Sequence, residues 1–227
     1  MTITIGYLYY DLMNLYGDIG NIHVLKYHLE KQGIKVNIKR LSIDDEINFK
    51  RIDLVYIGSS TEDNRFIALN HLLKYKDDIK DAIKMGKFFL ITGQALAMFG
   101  NNIDDEKALG IFDFNTNISN DREVKEVVNN TKFVKDFIYG FLNNSDNISY
   151  NNCEYLFDNE GILDNNFYGT KMIGPLLVRN PMFTEYFIKK LIKSKYKDFK
   201  FKRFDFALDI KAYNEYIEFK RTKRDIK

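Results

Sequence analysis

The polar and apolar residues of the first hundred positions fall into three patterns, one of which is the strand-like alternation at 35–41. Short runs of apolar, β-branched and aromatic residues are typical of strands that are covered on both faces. Between these runs, apolar residues recur at helical spacing, as on one side of a helix. The patterns predict strands at 2–10, 35–41, 52–57 and from Gly86 onward, and helices at 21–32 and 65–85. This order indicates a doubly wound, three-layer α/β/α fold around a mostly parallel central sheet.

The second half of the chain is less regular. Strand-like pieces separated by polar turns favour an antiparallel extension of a mixed sheet, and they lie at 110–116, 122–128 and 136–142. Pro181 predicts the start of a helix at Met182, because proline suits the first helical turn. Asn180 is the expected cap of this helix. Aromatic and charged residues alternate near 204–222, which predicts a last helix on the flank of the sheet.

Composition narrows the class of protein. Thirty-four Lys and Arg nearly balance 32 Asp and Glu, and a net charge of +2 gives no strong attraction to nucleic acid or to an anionic membrane. No apolar run approaches the ~20 residues of a membrane span. The single cysteine, Cys153, agrees with a reducing compartment, so we expect a cytoplasmic protein without membrane insertion. No linker rich in Pro, Gly or Ser divides the chain, which predicts one domain over 1–227 with a helical extension at about 200–227.

Ligands of an open parallel sheet bind outside the carboxyl ends of its strands. Three loops therefore hold the candidate chemistry, and they are residues 10–21, residues 58–65 and the turn at Thr92 to Ala95. The last of these lies in GKFFLITGQALAMFG (86–100), which predicts a buried strand that turns tightly into a helix. Many α/β enzymes hold a nucleophile at such an elbow.

Six motifs in order resemble one family. They are YYDLMNLYGDIGNI (9–22), IDLVYIGSS (52–60), the elbow segment (86–100), ALGIFDF (108–114), IYGFLNN (138–144) and YGTKMIGPLLVRNP (168–181). They resemble the class I glutamine amidotransferases of the cobyric acid synthase-like (CobB/CobQ) type, and among these the glutaminase subunits of lipid II isoglutaminyl synthase. The resemblance covers residues 3 to about 195. It implies a flavodoxin-like fold and no cofactor.

The chemistry of the family implies a cysteine thiolate at the elbow, a histidine that takes its proton, and backbone N–H donors for the oxyanion. The matching spacing of the flanking glycines puts Gly93 at the cysteine position. Ile173, just before Gly174, stands at the histidine position, and the family's active-site arginine falls near Asn147. Neither glycine nor isoleucine can do the chemistry, so the resemblance implies a glutaminase that has lost its nucleophile and its base.

The possible substitutes for the missing nucleophile and base are histidine, threonine and cysteine side chains elsewhere in the chain. The histidines, His23, His28 and His71, all lie on predicted helices in the first third of the chain, where exposed or capping roles are more common than catalysis. The Thr92 side chain should turn away from the apex of the elbow, and its hydroxyl needs an adjacent base. Cys153 lies in a polar connection, which favours an incidental thiol.

The loops that match the family motifs supply two sets of candidate site residues. Pocket or oxyanion-loop candidates are Gly58, Ser59, Ser60, Thr92, Gln94 and Ala95. Candidates for contact with a partner or ligand are Asp11, Asn14, Tyr16, Gly17, Asp18, Gly20, Asn21 and Arg179. The alternative for the first loop is purely structural, with glycines that permit a tight turn and aspartates that cap a helix. A structural role is also favoured for the segment from Gly174 to Pro181.

Three hypotheses of function follow. The first is a catalytically degenerate subunit that binds a Mur-ligase-like ATP-dependent partner, which in the family amidates the D-glutamate of the peptidoglycan stem with ammonia from the glutaminase. The second is an active glutamine amidotransferase with rewired catalytic residues. The third is a stand-alone module that binds glutamine or another small ligand at the elbow, where Gly93 and Ala95 leave room.

Overall fold

The computed structural model describes residues 1–224, with side chains described to residue 220. Its strands are β1 (Thr2–Leu8), β2 (Lys35–Leu41), β3 (Leu54–Ile57), β4 (Phe88–Thr92), β5 (Asn102–Ile103), β6 (Glu106–Lys107), β7 (Phe114–Asn129), β8 (Ile138–Tyr150), β9 (Ile162–Asp164) and β10 (Phe167–Thr170). Its α-helices are α1 (Ile19–Lys31), α2 (Glu62–Leu72), α3 (Lys76–Lys84), α4 (Leu176–Arg179), α5 (Pro181–Lys195) and α6 (Ala207–Arg224).

The central sheet has six strands in the order β2-β1-β3-β4-β10-β9. Every neighbouring pair is parallel except β10 and β9, so the antiparallel strand lies at one edge. The carboxyl ends of β1, β3, β4 and β10 therefore meet at the same edge of the sheet, and the loops that follow them lie together. The predicted α/β class with a mostly parallel, mixed sheet is confirmed.

Strand β4 shows why the sheet is covered on both faces. Phe88 and Leu90 pack in a core with residues of α1 and α5, whereas Phe89 and Ile91 pack in a second core with residues of α2 and α3. Successive side chains of a strand point to opposite faces, so a strand between two helical layers must be apolar at every position. The continuous apolar run in the sequence is the direct result of this double burial.

Four strands of the second half form a separate sheet in the order β6-β5-β7-β8, in which β5 and β7 are parallel and the other pairs are antiparallel. The predicted short strands at 110–116 and 122–128 are wrong in their bounds, because β7 runs unbroken from Phe114 to Asn129 with a bulge between Ile118 and Glu123. The third predicted strand, at 136–142, is the first part of the longer β8. One face of this hairpin packs on the main domain, since alternate residues of β8 from Ile138 to Asp146 are buried.

The helices follow the predicted pattern with shifted ends. The helical stretch at 65–85 consists of α2, a short 3₁₀ turn and α3. Thr61 caps α2, where its side chain accepts a hydrogen bond from Asn64 N at 3.3 Å. The expected capping role of the Asn180 side chain is wrong. Its Oδ1 accepts a hydrogen bond from Tyr139 N, and its Nδ2 donates to the Tyr139 carbonyl, both at 2.9 Å. These bonds connect the start of α5 to β8. Between residues 1 and 224, the helices are too short or too polar to cross a membrane.

Candidate functional site

The elbow lies at the carboxyl end of the central strand β4. Gly93 has a φ of +64°, a left-handed conformation that side-chain-bearing residues rarely adopt. The chain continues as a 3₁₀ helix, Gly93–Phe99, rather than as the α-helix that is usual after such a turn, and all seven residues are buried. The prediction of a sharp turn after a buried strand thus agrees with the backbone geometry. Gln94 and Ala95 lie within this buried turn, at 1% and 0% exposure.

The apex of the elbow is closed. A Cβ atom added at Gly93 would lie 2.6 Å from both Cβ and Oγ of Ser59 and 2.9 Å from Cγ2 of Ile173. Ile173 itself is 1% exposed and is held in place by its amide, which donates to the carbonyl of Phe141 on β8 at 2.8 Å. The structure therefore brings Gly93 and Ile173, which are 80 positions apart in the chain, into direct proximity and fills the space between them with apolar and hydroxyl groups.

A buried polar network lies beneath the elbow, on the side of α1. The hydroxyls of Tyr56 and Thr92 are 3.1 Å apart, and Asn21 Nδ2 donates to Tyr56 at 2.9 Å. Asp18 Oδ2 accepts a hydrogen bond from Ser59 N at 2.5 Å. The Thr92 side chain turns away from the apex and is fully buried. A carboxyl group does lie near Thr92, which the sequence did not indicate, but no solvent reaches the hydroxyl.

Asp18 is a fully buried carboxyl group. Burial raises its pKa from 3.8 to about 7, while hydrogen bonds from Ser59 N and from the hydroxyls of Tyr56 and Thr92 oppose this rise. Among the described residues no cation forms an ion pair with Asp18. The pKa is therefore set chiefly by the cost of holding a charge away from water.

A second polar cluster lies between the elbow and the β7–β8 hairpin. Arg65 Nη1 pairs with Asp146 Oδ2 at 2.6 Å, and both side chains are almost completely buried, at 0% and 2% exposure. Burial raises the pKa of Asp146 and the neighbouring guanidinium lowers it. Gln94 Nε2 donates to Glu62 Oε1 at 2.8 Å, which links the elbow to the first turn of α2. Arg122, on β7, also reaches Glu62, at 3.3 Å.

The sequence patterns do not single out four of these residues, Arg65, Asp146, Glu62 and Arg122. Asn147, the expected arginine position, is exposed on β8, and its neighbour Asp146 points inward to Arg65 instead. The guanidinium that pairs with Asp146 comes from Arg65 on α2, while Arg122 on β7 donates to Asn143 Oδ1 on β8 at 2.7 Å. The available signal was that Arg65 belongs to the predicted loop at 58–65, at the carboxyl edge of the sheet.

The first loop is divided between buried and exposed candidates. Asp18 and Asn21 are buried, and Asn21 Oδ1 accepts from Leu177 N at 2.8 Å, which joins the loop to α4. Asp18 occupies the N-cap position of α1, but its side chain makes no capping bond, so the alternative in which aspartates cap the helix does not hold for Asp18. Asn14 Oδ1 instead accepts a hydrogen bond from Ile19 N at 3.0 Å. A Cβ added at Gly20 would lie 2.7 Å from Pro175 Cβ, so the glycine permits close approach to the segment before α4.

The remaining candidates have local roles. Asp11 accepts a bond from Ser42 Oγ at 2.6 Å, and Ser60 Oγ donates to the Thr61 carbonyl at 2.8 Å. Tyr16 is 42% exposed, with its hydroxyl 3.2 Å from Asn143 Nδ2. The other candidates are Gly17, which has a φ of +78°, Gly58, where an added Cβ would lie 2.7 Å from Asp18 Oδ2, and Arg179, which is half-buried with Nη2 beside Gly174.

The alternative nucleophile and bases lie elsewhere. His71 Nδ1 is 3.0 Å from the Tyr9 hydroxyl, His28 packs on the Phe206 ring at 4.0 Å, and His23 is exposed on α1. Cys153 Sγ lies 3.7 Å from the Asp113 carbonyl, and burial raises the pKa of its thiol. Within the described part of the chain, no three His, Cys, Asp or Glu side chains are grouped as metal ligands.

Comparison with known proteins identifies the family of this fold. The chain is 28% identical to the Lipid II isoglutaminyl synthase (glutamine-hydrolyzing) subunit GatD of Staphylococcus aureus (strain N315), over 95% of each chain. It is 26% identical to the subunit of the same name from Streptococcus pneumoniae (strain ATCC BAA-255 / R6), over 96% of this chain and 92% of the relative. Residues 4–177 match the CobB/CobQ-like glutamine amidotransferase domain. The chain therefore belongs to the CobB/CobQ-like glutamine amidotransferase family.

Proposed function

We propose that this protein is a catalytically degenerate glutamine amidotransferase subunit that binds a Mur-ligase-like, ATP-dependent partner in the amidation of a cell-wall precursor. It would act as one cytoplasmic domain, and its task would be to stabilise or regulate a partner that takes ammonia from another source. The proposal rests on the family membership and on the two relatives, which are named as subunits of lipid II isoglutaminyl synthase.

The observation that carries the loss of catalysis is the closed apex at Gly93. Nucleophilic catalysis needs a side chain at the elbow, a base within hydrogen-bond reach, and room for the reacting carbon near 3 Å from both. Here the apex has no side chain, the adjacent position is an isoleucine, and an added Cβ would already meet Ser59 and Ile173 within 3 Å. The site thus lacks the nucleophile, the base and the space.

The proposed docking surface lies at the carboxyl edge of the sheet, where the first loop meets the segment before α4. Three large apolar side chains are exposed there: Leu15 at 37%, Tyr16 at 42% and Val178 at 39%. Val178 is close to Gly20, so the two segments form one continuous surface. Exposed apolar groups that cluster beside a polar rim favour a protein interface.

A glutaminase assay tests the catalytic part of the proposal. The wild type should release no ammonia from glutamine above buffer, alone or with its partner. The triple variant Gly93→Cys, Ile173→His, Ser59→Gly restores thiol and imidazole and removes the Ser59 side chain that would clash, while it keeps the Ser59 N–H that bonds Asp18. Ammonia release by this variant but not by its Gly93→Ser counterpart would support an intact scaffold. Steady release by the wild type would contradict the proposal.

Co-purification tests the partner. Tagged wild-type protein from the native host should retain a Mur-ligase-like protein, whereas a Val178→Glu, Leu15→Glu variant should lose it. An exposed control substitution on the far side, Met85→Glu, should keep the partner, since Met85 is 58% exposed at the end of α3. Retention of no such ligase by the wild type would contradict the partner assignment and leave the catalytic test unaffected.

One observation favours the second hypothesis, an active enzyme with rewired residues. Thr92 lies in the same buried network as Asp18, whose pKa is raised to about 7, the range of a general base. Both side chains are fully buried, so glutamine would reach Thr92 only after the elbow opens. A Thr92→Val variant separates the alternatives, because it would abolish any ammonia release that depends on this hydroxyl.

A further inference from the structure

A cavity of about 580 Å³ lies on the β7–β8 hairpin and extends to Lys171, the second residue before Ile173. Its floor is formed by side chains on the face of the hairpin that packs toward the main domain, including Val127, Leu142 and Ile148. Tyr150 and Tyr155 form one wall, with their rings edge to face at 5.3 Å. The volume lies within the range of small-molecule sites, and the apolar floor with an aromatic wall is typical of them.

Five charged side chains line this cavity, and four of them are already paired or hydrogen-bonded. Lys125 Nζ pairs with Glu123 Oε1 at 2.5 Å. Asp158 Oδ2 accepts from the backbone N of Asn130 at 2.7 Å. Glu160 accepts from the Thr170 hydroxyl at 2.7 Å and from the backbone N–H that follows Thr170. Each of these charged groups therefore has an ion-pair or hydrogen-bond partner within the protein.

The fifth charge is Lys171, which directly follows β10. Across residues 1–220, its ammonium group makes no hydrogen bond and no ion pair. Its charge acts electrostatically on the carboxyl groups of Glu160 and Asp146, of which Asp146 is paired with Arg65. Lys171 therefore supplies an unpaired cation at the rim of an otherwise satisfied, partly apolar cavity.

We propose that this cavity binds a small organic monocarboxylate, with the carboxylate on Lys171 and an apolar or aromatic body against Leu142, Ile148 and Tyr150. A single negative charge matches the single unpaired ammonium. A phosphate dianion would be repelled by the three carboxylates of the lining, so the match favours one carboxylate. This binding would not depend on the proposed function.

Binding can be measured with phenylacetate and hexanoate as probes, and with phenylacetamide and hexanamide as uncharged counterparts of the same shape. Calorimetry should show that at least one acid binds about tenfold or more tightly than its amide. Amide signals of residues 142, 150 and 171 should shift in two-dimensional NMR spectra when the acid is added. Failure of both acids to bind, or equal affinity of acid and amide, would overturn the proposal.

Lys171→Met removes the charge and keeps the aliphatic stem, and it should weaken acid binding about tenfold or more without effect on the amide. Lys125→Met is the matched control, because Lys125 lines the same cavity with its charge paired to Glu123, and it should change affinity by less than about threefold. Unchanged affinity in Lys171→Met would overturn the proposal. If that variant does not fold, the comparison of acid with amide on the wild type decides.

Discussion

Replacing Asp18 by asparagine should make the protein more stable at neutral and alkaline pH. Asp18 is fully buried, and its Oδ2 accepts the Ser59 amide at 2.5 Å. Asparagine has nearly the same shape and can accept the same bond through its carbonyl oxygen. It therefore imitates the protonated form of Asp18 at every pH, and it removes the cost of burying a carboxylate.

The magnitude follows from the pKa of Asp18, which burial raises from 3.8 to about 7. Because the folded state holds the proton more tightly than the unfolded state, the contribution of Asp18 to stability is fullest below pH 4 and is lost as the pH rises to 7. The full change corresponds to about 4 kcal/mol, and partial relaxation around the carboxylate makes about 2 to 4 kcal/mol the expected gain of the variant at pH 8.

Urea unfolding followed by circular dichroism between about pH 4 and pH 8 measures this difference, because the pH dependence of unfolding reports differences in proton binding. The free energies of unfolding of the wild type and Asp18→Asn should nearly coincide at the acidic end and diverge as the pH rises. Asp63→Asn, at an exposed carboxyl group in the first turn of α2, is the control and should show no such divergence. A constant difference in the free energy of unfolding between wild type and Asp18→Asn across this range would show that the pKa of Asp18 is not raised by folding.

Three further substitutions test the packing around the elbow by urea unfolding. Gly93→Ala should cost about 2 to 4 kcal/mol, because the new Cβ meets Ser59 at 2.6 Å and the backbone is left-handed, and a neutral result would show that the apex is open. Arg65→Met should lower the free energy of unfolding by about 3 to 5 kcal/mol, because it leaves Asp146 charged and unpaired. The second substitution Asp146→Leu should recover much of this loss. Additive losses of the two substitutions would argue against the buried pair. Asn180→Ala should cost about 2 kcal/mol through the lost bonds to β8, and a loss below about 0.5 kcal/mol would count against that bridge.

Sequence patterns predicted most of the central sheet because β1, β3 and β4 are buried on both faces, whereas the edge strand β2 shows an alternating pattern. Strands that are buried on both faces must be apolar at nearly every position, and they stand out from amphipathic helices on either side. The hairpin was harder to predict. Strand β7 has one exposed face and a bulge between Ile118 and Glu123, so the alternation is interrupted and its polar middle resembles a turn.

Local sequence patterns likewise indicate some residues of the candidate site and not others. Gly93 and Ile173 were singled out by motif spacing, and the structure places them in contact range. The buried pair of Arg65 and Asp146 joins residues 81 positions apart on different layers, and nothing local distinguishes a buried arginine from an exposed one. Asn180 was predicted as a cap because local propensity favours that role, but its side chain finds better partners on β8.

Covalent labelling shows directly whether the elbow carries a reactive group. The wild type is incubated with a diazo-ketone analogue of glutamine, and its intact mass is measured. A Cys153→Ser background removes the one thiol of the chain as a source of incidental alkylation, and the restored Gly93→Cys, Ile173→His, Ser59→Gly protein serves as a positive control. We predict an unmodified mass for the protein that carries Cys153→Ser alone. A stoichiometric adduct on that protein, mapped to the elbow or to Thr92, would contradict it.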